Sequence, residues 1–270
     1  MDLAYANALT ARVNAVIGNP APCPEKPLKC GLDLGTAYIV LVVLDGDDNP
    51  VACEMQFASV IKDGLVVDYF GTLEIVKNLK AKVESGIGRE LNSAAIAMPP
   101  GTGANSRTHK YIAEGAGLEV SHILDEPTAA NSVLRVKNGV VVDIGGGTTG
   151  YSVFAGGEVI KTGDEPTGGT HMSLVIAGNR SISFEEAEAY KQDINNHQTL
   201  FPVVRPVLEK MATIVSRGVA DYDVEAIYLC GGACMLGGIG EVFETVCGVR
   251  AYVPENPILI TPIGIALNNV

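Results

Sequence analysis

The stretch VVDIGGGTTGYSVF, from Val141 to Phe154, combines two patterns that do not normally share a strand. An apolar run ends on Asp143, three glycines and two threonines follow, and a second apolar run begins. Glycine weakens a strand, because it adds backbone entropy to the unfolded chain and has no side chain to pack. Three consecutive glycines beside a carboxylate and two hydroxyls therefore predict a turn whose backbone lies very close to a ligand.

A similar pattern occurs earlier in the chain, in KCGLDLGTAYIVLVVLDGDDNPVA from Lys29 to Ala52. Both stretches are apolar runs that end in Asp, an aliphatic residue and Gly, with a Thr shortly after. Both continue into the succession of strands and tight turns that is typical of a β-meander. The repetition indicates an internal duplication, in which each half of the protein contributes one Asp-x-Gly loop.

The composition predicts a folded cytoplasmic protein that binds neither nucleic acid nor membranes. The chain has 270 residues, of which 47% are hydrophobic, enough for a sizeable core in one or two domains. Its net charge of -12 opposes binding to nucleic acid or anionic lipid. No apolar run reaches the roughly 18 residues of a membrane span, and the N-terminus lacks a secretory pattern. The six cysteines are expected to be buried and reduced.

The first 28 residues are expected to be distinct from the folded body. Apolar residues recur at helical spacing from Leu3 to Ile17, which predicts a short amphipathic helix. The four prolines of GNPAPCPEKP, residues 18–27, then predict a stiff, extended linker. Two interpretations of the helix are open: it docks on the body, or it is a tethered segment whose apolar face binds a partner.

The rest of the chain is predicted to alternate between strands and helices, which is typical of an α/β protein. Within 122–136, HILDEPTAANSVLRV, we expect a strand end, a loop and a helix. Asn105 is a candidate N-cap, and Pro206 is expected to start or kink the helix that contains it. Helices are predicted at 72–88, 105–120, 184–193, 201–219, 238–248 and 261–270.

The two Asp-x-Gly loops predict a site for a phosphorylated ligand and a cation. Glycine-rich turns present backbone N–H groups that bind anions. Asp33 and Asp143 would repel a phosphate unless a cation lay between them, and Mg²⁺ binds both carboxylates and phosphate oxygens, often through water. One such loop is an ordinary turn in most proteins, whereas two matched loops and a third Gly-Gly turn at 231–232 are a stronger signal.

Five sequence blocks resemble the actin-like ATPase superfamily, which contains DnaK-type chaperones, MreB cytoskeletal proteins and sugar kinases. In chain order they are DLGT, LDEPTAA, DIGGGTT, LCGG and PIGIAL, and they span most of Lys29 to Leu267. The stretch VIKDGLVVDYF, residues 60–70, is also similar to part of MreB. Within the superfamily, the length and acidic composition are most similar to the chaperone-like proteins of bacterial ethanolamine utilisation.

The resemblance implies an α/β, ribonuclease H-like fold of two duplicated lobes around a nucleotide cleft. Residues 29–137 would form lobe I, residues 138–257 lobe II, and a C-terminal helix in 258–270 would return to lobe I. The chain leaves little room before Thr72 or after Lys191 for the small subdomains of larger relatives. We therefore expect these subdomains to be reduced or absent. DnaK-type chaperones carry a peptide-binding domain after the ATPase, and this sequence ends at Val270 without one, so we do not expect a self-contained peptide-folding chaperone.

The resemblance also implies a role for each matching residue. Asp33 and Asp143 would hold a hydrated Mg²⁺, and Glu126 would orient the water that attacks ATP; these would be the catalytic acids. Two alternatives are open, in which Glu126 only caps a helix and Glu188–Lys191 is a surface ion pair. The nucleotide-binding residues would be Gly35, Thr36, Gly145, Gly146, Gly147, Thr148, Thr149, Gly168 and Gly169 at the phosphates, Glu188 and Lys191 at the ribose, and Gly231, Gly232 and Met235 at the adenine.

The sequence departs from the superfamily pattern in ways that affect turnover more than binding. Gly150 stands where relatives carry an acid, Thr170 stands where an acid is common, and no lysine matches the phosphate-binding lysine of the chaperones. Each missing group removes charge stabilisation or water positioning, so fast hydrolysis of ATP to ADP is not expected.

The expected function is therefore a chaperone-like nucleotide switch that binds ATP or ADP with Mg²⁺ and hydrolyses ATP slowly. Its protein client would be ethanolamine ammonia-lyase or a shell protein of a bacterial microcompartment, and the switch would act in the cytoplasm or within that compartment. The alternatives are an MreB-like filament or scaffold subunit and a nucleotide-binding relic without turnover. A small-molecule kinase is not expected, because no insertion provides a substrate pocket.

Overall fold

The structure is a computed structural model that describes residues 3–23, 25–101 and 106–270. The predicted N-cap Asn105 lies outside the described residues, as do Met1, Asp2 and Pro24 of the N-terminal segment. In chain order the elements are α1 (Ala4–Asn14), β1 (Leu28–Leu34), β2 (Tyr38–Asp45), β3 (Pro50–Phe57), β4 (Ile61–Lys62), β5 (Leu65–Val66), α2 (Tyr69–Ile87), β6 (Ser93–Met98), α3 (Ser106–Gly115), β7 (Glu119–Asp125), α4 (Glu126–Leu134), β8 (Gly139–Ile144), β9 (Thr149–Ala155), β10 (Glu158–Glu165), α5 (Gly169–Arg180), α6 (Phe184–Gln192), α7 (His197–Gly218), β11 (Ile227–Cys230), α8 (Ile239–Cys247), β12 (Ala251–Tyr252) and α9 (Ile260–Leu267).

The strands form two five-stranded sheets with the same topology. Sheet I has the order β3-β2-β1-β6-β7, and sheet II has the order β10-β9-β8-β11-β12. In sheet I, β1 pairs antiparallel with β2 and parallel with β6, which follows helix α2. In sheet II, β8 pairs antiparallel with β9 and parallel with β11, which follows helix α7. Asp33 and Asp143 hold equivalent positions, one residue before the end of β1 and β8. The predicted duplication and α/β class are confirmed.

Only short connections stand where larger relatives would insert subdomains. The small hairpin of β4 and β5 lies between β3 and α2, and a single helical turn, Ile194–Asn196, lies between α6 and α7. The expectation of reduced small subdomains is therefore confirmed. The lobe boundaries at residues 28/29, 137/138 and 257/258 stay a prediction.

A shared apolar layer connects the two sheets at the back of the molecule. It contains buried side chains of β2, α4, β8, β11 and α9, such as Val42, Val133, Val141, Tyr228 and Ile263. Helices α2 and α3 pack on the other face of sheet I, and α5 and α7 contribute to the core of sheet II. Among the residues that the structure describes, no helix is both long enough and apolar enough to cross a membrane.

The N-terminal helix α1 is docked on this shared layer. Its buried residues, Ala6, Leu9 and Val13, belong to the same apolar cluster, and the guanidinium of Arg135 lies 3.5 Å above the ring of Tyr5. The segment that follows runs along β3, where the backbone N–H of Ala21 donates to the carbonyl of Val51 at 2.8 Å. Of the two interpretations of this segment, the docked helix is the one that the structure has.

Three local predictions from the sequence are corrected. Helix α5 was not predicted, because its sequence contains two glycines and an apolar run with β-branched residues. Helix α7 begins at His197 and continues through Pro206, because buried side chains from Leu200 to Val215 keep one face of the helix packed on sheet II. No loop separates β7 from α4, so Glu126 is the first residue of a helix that is capped by Asp125.

Candidate functional site

The two Asp-x-Gly loops face each other across a cleft between the sheets. Loop I comprises residues 33–37 and follows β1, and loop II comprises residues 143–149 and joins β8 to β9. They approach so closely that a Cβ on Gly146 would lie 3.1 Å from the backbone nitrogen of Ala37. Both loops, Glu126 and the Gly231–Gly232 turn line a cavity of about 70 Å³. The sequence blocks that are far apart in the chain therefore converge.

Loop II presents backbone donors to this cavity. The N–H of Gly145 donates to the carbonyl of Thr148 at 3.1 Å, which closes the turn. The N–H groups of Gly146 and Gly147 donate to no protein acceptor within the described part of the chain, which leaves them available to an anion.

The glycine pair before α5 supports loop II from behind. The N–H groups of Gly169 and Thr170 donate to the carbonyls of Gly145 and Gly146 at 2.9 and 2.8 Å. A Cβ on Gly168 would lie 2.7 Å from the carbonyl oxygen of Gly146, so only glycine allows this approach. The first N–H groups of α5 are thus already used within the protein, and they hold the loop in shape.

Three carboxyl groups line the cleft, and no Lys or Arg of the described residues contributes to their pKa shifts. Burial, together with the charge of Asp143, raises the pKa of Asp33 to about 7. Burial also raises the pKa of Asp143 to about 6, although hydrogen bonds from Thr261 and Cys230 lower it. Burial and the charges of Asp143 and Asp33 hold the pKa of Glu126 well above its ordinary value. The cluster therefore has the electrostatic character of a cation site.

The donor set fits a hydrated cation. Within residues 3–23, 25–101 and 106–270, no three His, Cys, Asp or Glu side chains gather closely enough to ligate a metal directly. Mg²⁺ keeps several water ligands and is bound by one or two carboxylates together with phosphate oxygens. The three acids and the free N–H groups of loop II are compatible with that form of binding.

Asp143 is held by residues that the sequence analysis did not identify. The hydroxyl of Thr261, on α9, donates a hydrogen bond to Asp143 Oδ2. Gly231 adopts a φ of 90° directly against the same carboxylate, where a side chain would collide with it. Thr261 is separated from Asp143 by 118 residues in the chain, so no local pattern indicates this contact.

The β4–β5 hairpin covers the two loops and was also missed. The N–H of Gly64 donates to Thr36 Oγ1 at 3.4 Å, and a Cβ on Gly147 would lie 2.7 Å from the Cα of Asp63. Asp63 and Gly64 both have positive φ, which is typical of a tight hairpin turn. The Asp-Gly pair in VIKDGLVVDYF was the available signal.

A second cavity of about 330 Å³ continues from the loops between α6 and the Gly231–Gly232 turn. This volume lies within the roughly 300–1,000 Å³ usual for small-molecule sites. Its lining includes Glu188, Lys191 and Met235, as predicted, and also Tyr38 and His197, which were not.

Glu188 is buried and Lys191 is only partly exposed, so the pair is not an ion pair on the open surface. Lys191 Nζ lies 2.8 Å from Glu188 Oε1 and also donates to Ser173 Oγ at 2.7 Å and to the carbonyl of Gly169 at 3.0 Å. Burial lowers the pKa of Lys191, while the carboxylate of Glu188 raises it. The pair connects the second cavity to the start of α5.

Most of the predicted site residues line one of the two cavities, with two exceptions. Thr149 is fully buried, and its hydroxyl donates to the carbonyl of Thr167 at 2.6 Å. It is the first residue of β9 and lines neither cavity, whereas Thr148 lines the cavity between the loops. Gly168 lies behind loop II and lines neither cavity. The roles assigned to the predicted residues stay predictions.

Known proteins resemble this chain in sequence and in fold. The family model "MreB/Mbl protein" matches residues 52–197, and the model "Cell division protein FtsA" matches residues 140–264. Ethanolamine utilization protein EutJ of Escherichia coli K12 is 43% identical over 262 residues, which are 96% of this chain and 93% of that protein.

Solved structures of EutJ and MreB proteins also resemble this chain. The crystal structure of EutJ from Carboxydothermus hydrogenoformans has a TM-score of 0.92 and 48% identity, and the match covers 99% of both chains. MreB 5 of Spiroplasma citri bound to AMPPNP has a TM-score of 0.73, covering 90% of this chain and 96% of that one, at 17% identity, and so shares the fold alone. The chain belongs to the EutJ family of the actin-like ATPase superfamily.

Proposed function

We propose that this protein is a nucleotide switch that binds ATP with Mg²⁺, hydrolyses it slowly, and acts on a partner protein in ethanolamine utilisation. The observation that carries the proposal is the pair of facing loops, in which free backbone N–H groups meet three acids whose pKa values are raised. The names of the EutJ relatives support the metabolic context, and the AMPPNP bound to MreB 5 supports the ligand.

In this proposal the two loops bind the phosphates and the second cavity binds the nucleoside. The N–H groups of Gly146 and Gly147 and the hydroxyls of Thr36 and Thr148 donate to phosphate oxygens. Asp33 and Asp143 accept from the water ligands of Mg²⁺, which supplies the positive charge that separates these acids from the phosphates.

Hydrolysis is assigned to Glu126 at the start of α4. Its raised pKa makes its carboxylate a stronger base, suited to orient a water and to accept its proton. The water oxygen bonds to the γ-phosphorus, the bond from that phosphorus to the β–γ bridging oxygen breaks, and ADP leaves with the electron pair. The water proton passes through Glu126 to the phosphate product. Turnover is slow because no lysine of this chain matches the phosphate-binding lysine of the chaperones.

The fold supplies a means of signalling the bound nucleotide. The shared apolar layer connects the two sheets at the back, whereas the loops that would grip the nucleotide lie at the front. Closure of the lobes around ATP, with that layer as the hinge, would change the surface offered to a partner. We propose that the partner is ethanolamine ammonia-lyase or another protein of the pathway, or a microcompartment shell protein.

The proposal is tested by titrating ATP with Mg²⁺ into the wild type and two variants, while phosphate release is followed in the same samples. Asp143→Ala is expected to weaken binding by about 100-fold or more, because it removes a carboxylate of the cation site. Glu126→Gln is expected to keep the affinity and to lower phosphate release by about 100-fold. The control Asp221→Ala changes an exposed acid that lines neither cavity.

The outcomes separate the competing functions. No ATP binding by the wild type would contradict the switch altogether. Binding without any phosphate release, even with the partner present, would favour the nucleotide-binding relic. Sedimentation of the protein in the presence of ATP, but not in its absence, would favour the filament.

A further inference from the structure

Position 150 lies beside Pro127, the residue that follows Glu126, and has no side chain. Gly150 is paired with Asp143 on one side and with Asp164 of β10 on the other. A Cβ on Gly150 would lie 3.6 Å from the Pro127 ring, next to Glu126, and 3.3 Å from Asp164 Oδ1. The carboxylate of Asp164 thus reaches, from the neighbouring strand, the space that a side chain at position 150 would enter.

The Oδ1 atom of Asp164 is one of two buried side-chain oxygen or nitrogen atoms without a hydrogen-bond partner in the described residues. An unpartnered buried acceptor is costly, so such a group indicates a missing donor, such as a bound water or ion. The Thr148 side chain, which lines the cavity between the loops, is close enough to the same carboxyl group to lower its pKa. Asp164 is therefore connected to loop II and retains one free acceptor.

From this geometry we propose that Asp164 positions the water that attacks ATP, as a second acceptor beside Glu126. The inference rests on the proposed hydrolysis and adds to it a residue that the sequence blocks do not identify. Two acceptors fix the orientation of a water, whereas one leaves it free to rotate about its hydrogen bond. Glu126 receives the transferred proton, and Asp164 holds the other water hydrogen without changing its own protonation.

The charges around Asp164 agree with an ionised acceptor at neutral pH. Burial and the charges of Asp143, Glu165 and Asp63 raise its pKa, to about 6, and the Thr148 side chain opposes that rise. Asp164 also contributes to the raised pKa of Glu126, so the two acids are electrostatically connected. Within the described residues no salt bridge neutralises Asp164.

The first test measures affinity for ADP and for ADP with aluminium fluoride, a mimic of the transferring phosphoryl group that needs no turnover. Asp164→Asn is expected to leave the ADP affinity within about twofold of wild type and to weaken binding of the mimic about tenfold or more. Phosphate release is expected to fall by a similar factor. Glu165→Gln, which removes the adjacent exposed acid, is the control and should change neither.

The second test moves the carboxylate from position 164 on β10 to position 150 on the neighbouring strand β9. Asp164→Gly alone should lower phosphate release, and Gly150→Asp added to it should restore a substantial part, because the new side chain enters the same space. Gly150→Asp alone should not raise the rate, because it crowds the existing carboxylate and Pro100 Cδ, 3.2 Å from the new Cβ.

Three results would decide against Asp164. Full affinity of Asp164→Asn for the mimic would remove its role even if basal phosphate release were undetectable. A double variant no better than Asp164→Gly would show that the position of the carboxylate is irrelevant. A wild type that binds ADP no more tightly when aluminium fluoride is added would contradict the proposed hydrolysis itself, and the role of Asp164 with it.

Discussion

The two β-meanders, β1–β3 and β8–β10, share a topology but differ in how their outer strand is covered. In β3, residues Val51 to Cys53 are buried, and the segment after α1 hydrogen-bonds to this strand. In β10, the first five residues, from Glu158 to Thr162, are exposed. The outer strand of sheet I is therefore covered by α1 and the segment that follows it, whereas the first five residues of the equivalent strand in sheet II are exposed.

The loops of the two copies differ as well. Loop II has three glycines and is supported by the start of α5, whereas loop I has one glycine and no second glycine pair behind it. Asp143 is hydrogen-bonded by Thr261, while the larger rise in the pKa of Asp33 comes from burial and from Asp143 itself. In the proposed site the two copies would therefore contribute differently: loop II would provide backbone donors, and Asp33 and Glu126 would provide the less compensated acids.

The largest effect is expected from removing the packing that only the first copy has. Leu9→Ala in α1 deletes a side chain that is 3% exposed, and it should lower the free energy of unfolding by about 2–5 kcal/mol in urea titrations. Ile160→Ala on the uncovered strand β10 is the counterpart and should change it by less than about 0.5 kcal/mol. Asn14→Ala, exposed in α1, controls for helix composition. Equal effects of Leu9→Ala and Ile160→Ala would break the comparison of the two edges.

The next effect concerns the support behind loop II. Gly168→Ala places a methyl group 2.7 Å from the backbone of Gly146 and Gly147, so loop II must shift and ATP affinity should fall about 10- to 100-fold. Gly178→Ala, in the same region, meets nothing within 4 Å and should leave affinity unchanged while stabilising α5 by up to about 1 kcal/mol. Calorimetric titration of both variants checks this. Unchanged affinity in Gly168→Ala would mean that the support has no role in binding.

The sequence was sufficient to predict the features that occur twice in the chain and those that depend on glycine. The duplicated Asp-x-Gly pattern predicted two similar halves, and the facing loops confirm that these blocks converge. Gly146, Gly147 and Gly231 were informative, because a Cβ at each would lie too close to neighbouring atoms, and Gly231 also has a positive φ.

The sequence was insufficient where tertiary contacts decide. Thr261 looks like an ordinary helical residue, and only the return of α9 brings it to Asp143. No element was predicted for helix α5, whose first N–H groups donate to carbonyls of loop II, a contact that the sequence does not reveal. Asp164 follows no motif that was recognised, because its relation to Gly150 exists only across a strand pair. Propensity and spacing carry no information on such contacts.

The smallest expected effect sharpens the comparison of the two acids. Their pKa values in the folded protein, about 7 for Asp33 and about 6 for Asp143, exceed the ordinary 3.8. The folded state therefore binds more protons than the unfolded state between about pH 4 and pH 7, and the stability of the metal-free protein must fall as pH rises through that window. Asp33→Asn should raise Tm at neutral pH by a few degrees. It should also make stability fall less steeply with pH, chiefly near pH 7.

Asp143→Asn should have a smaller benefit, for two opposing reasons. It removes a buried charge and lowers the pKa of Asp33, whose second cause is Asp143, but it also replaces the carboxylate that accepts from Thr261. Thermal melts in EDTA at several pH values test both variants against wild type, with Asp221→Asn as the control. If the Tm of Asp33→Asn followed that of wild type at every pH, the buried charge of Asp33 would be stabilised by its surroundings as well as that of Asp143. The asymmetry between the loops would then rest on the glycines alone.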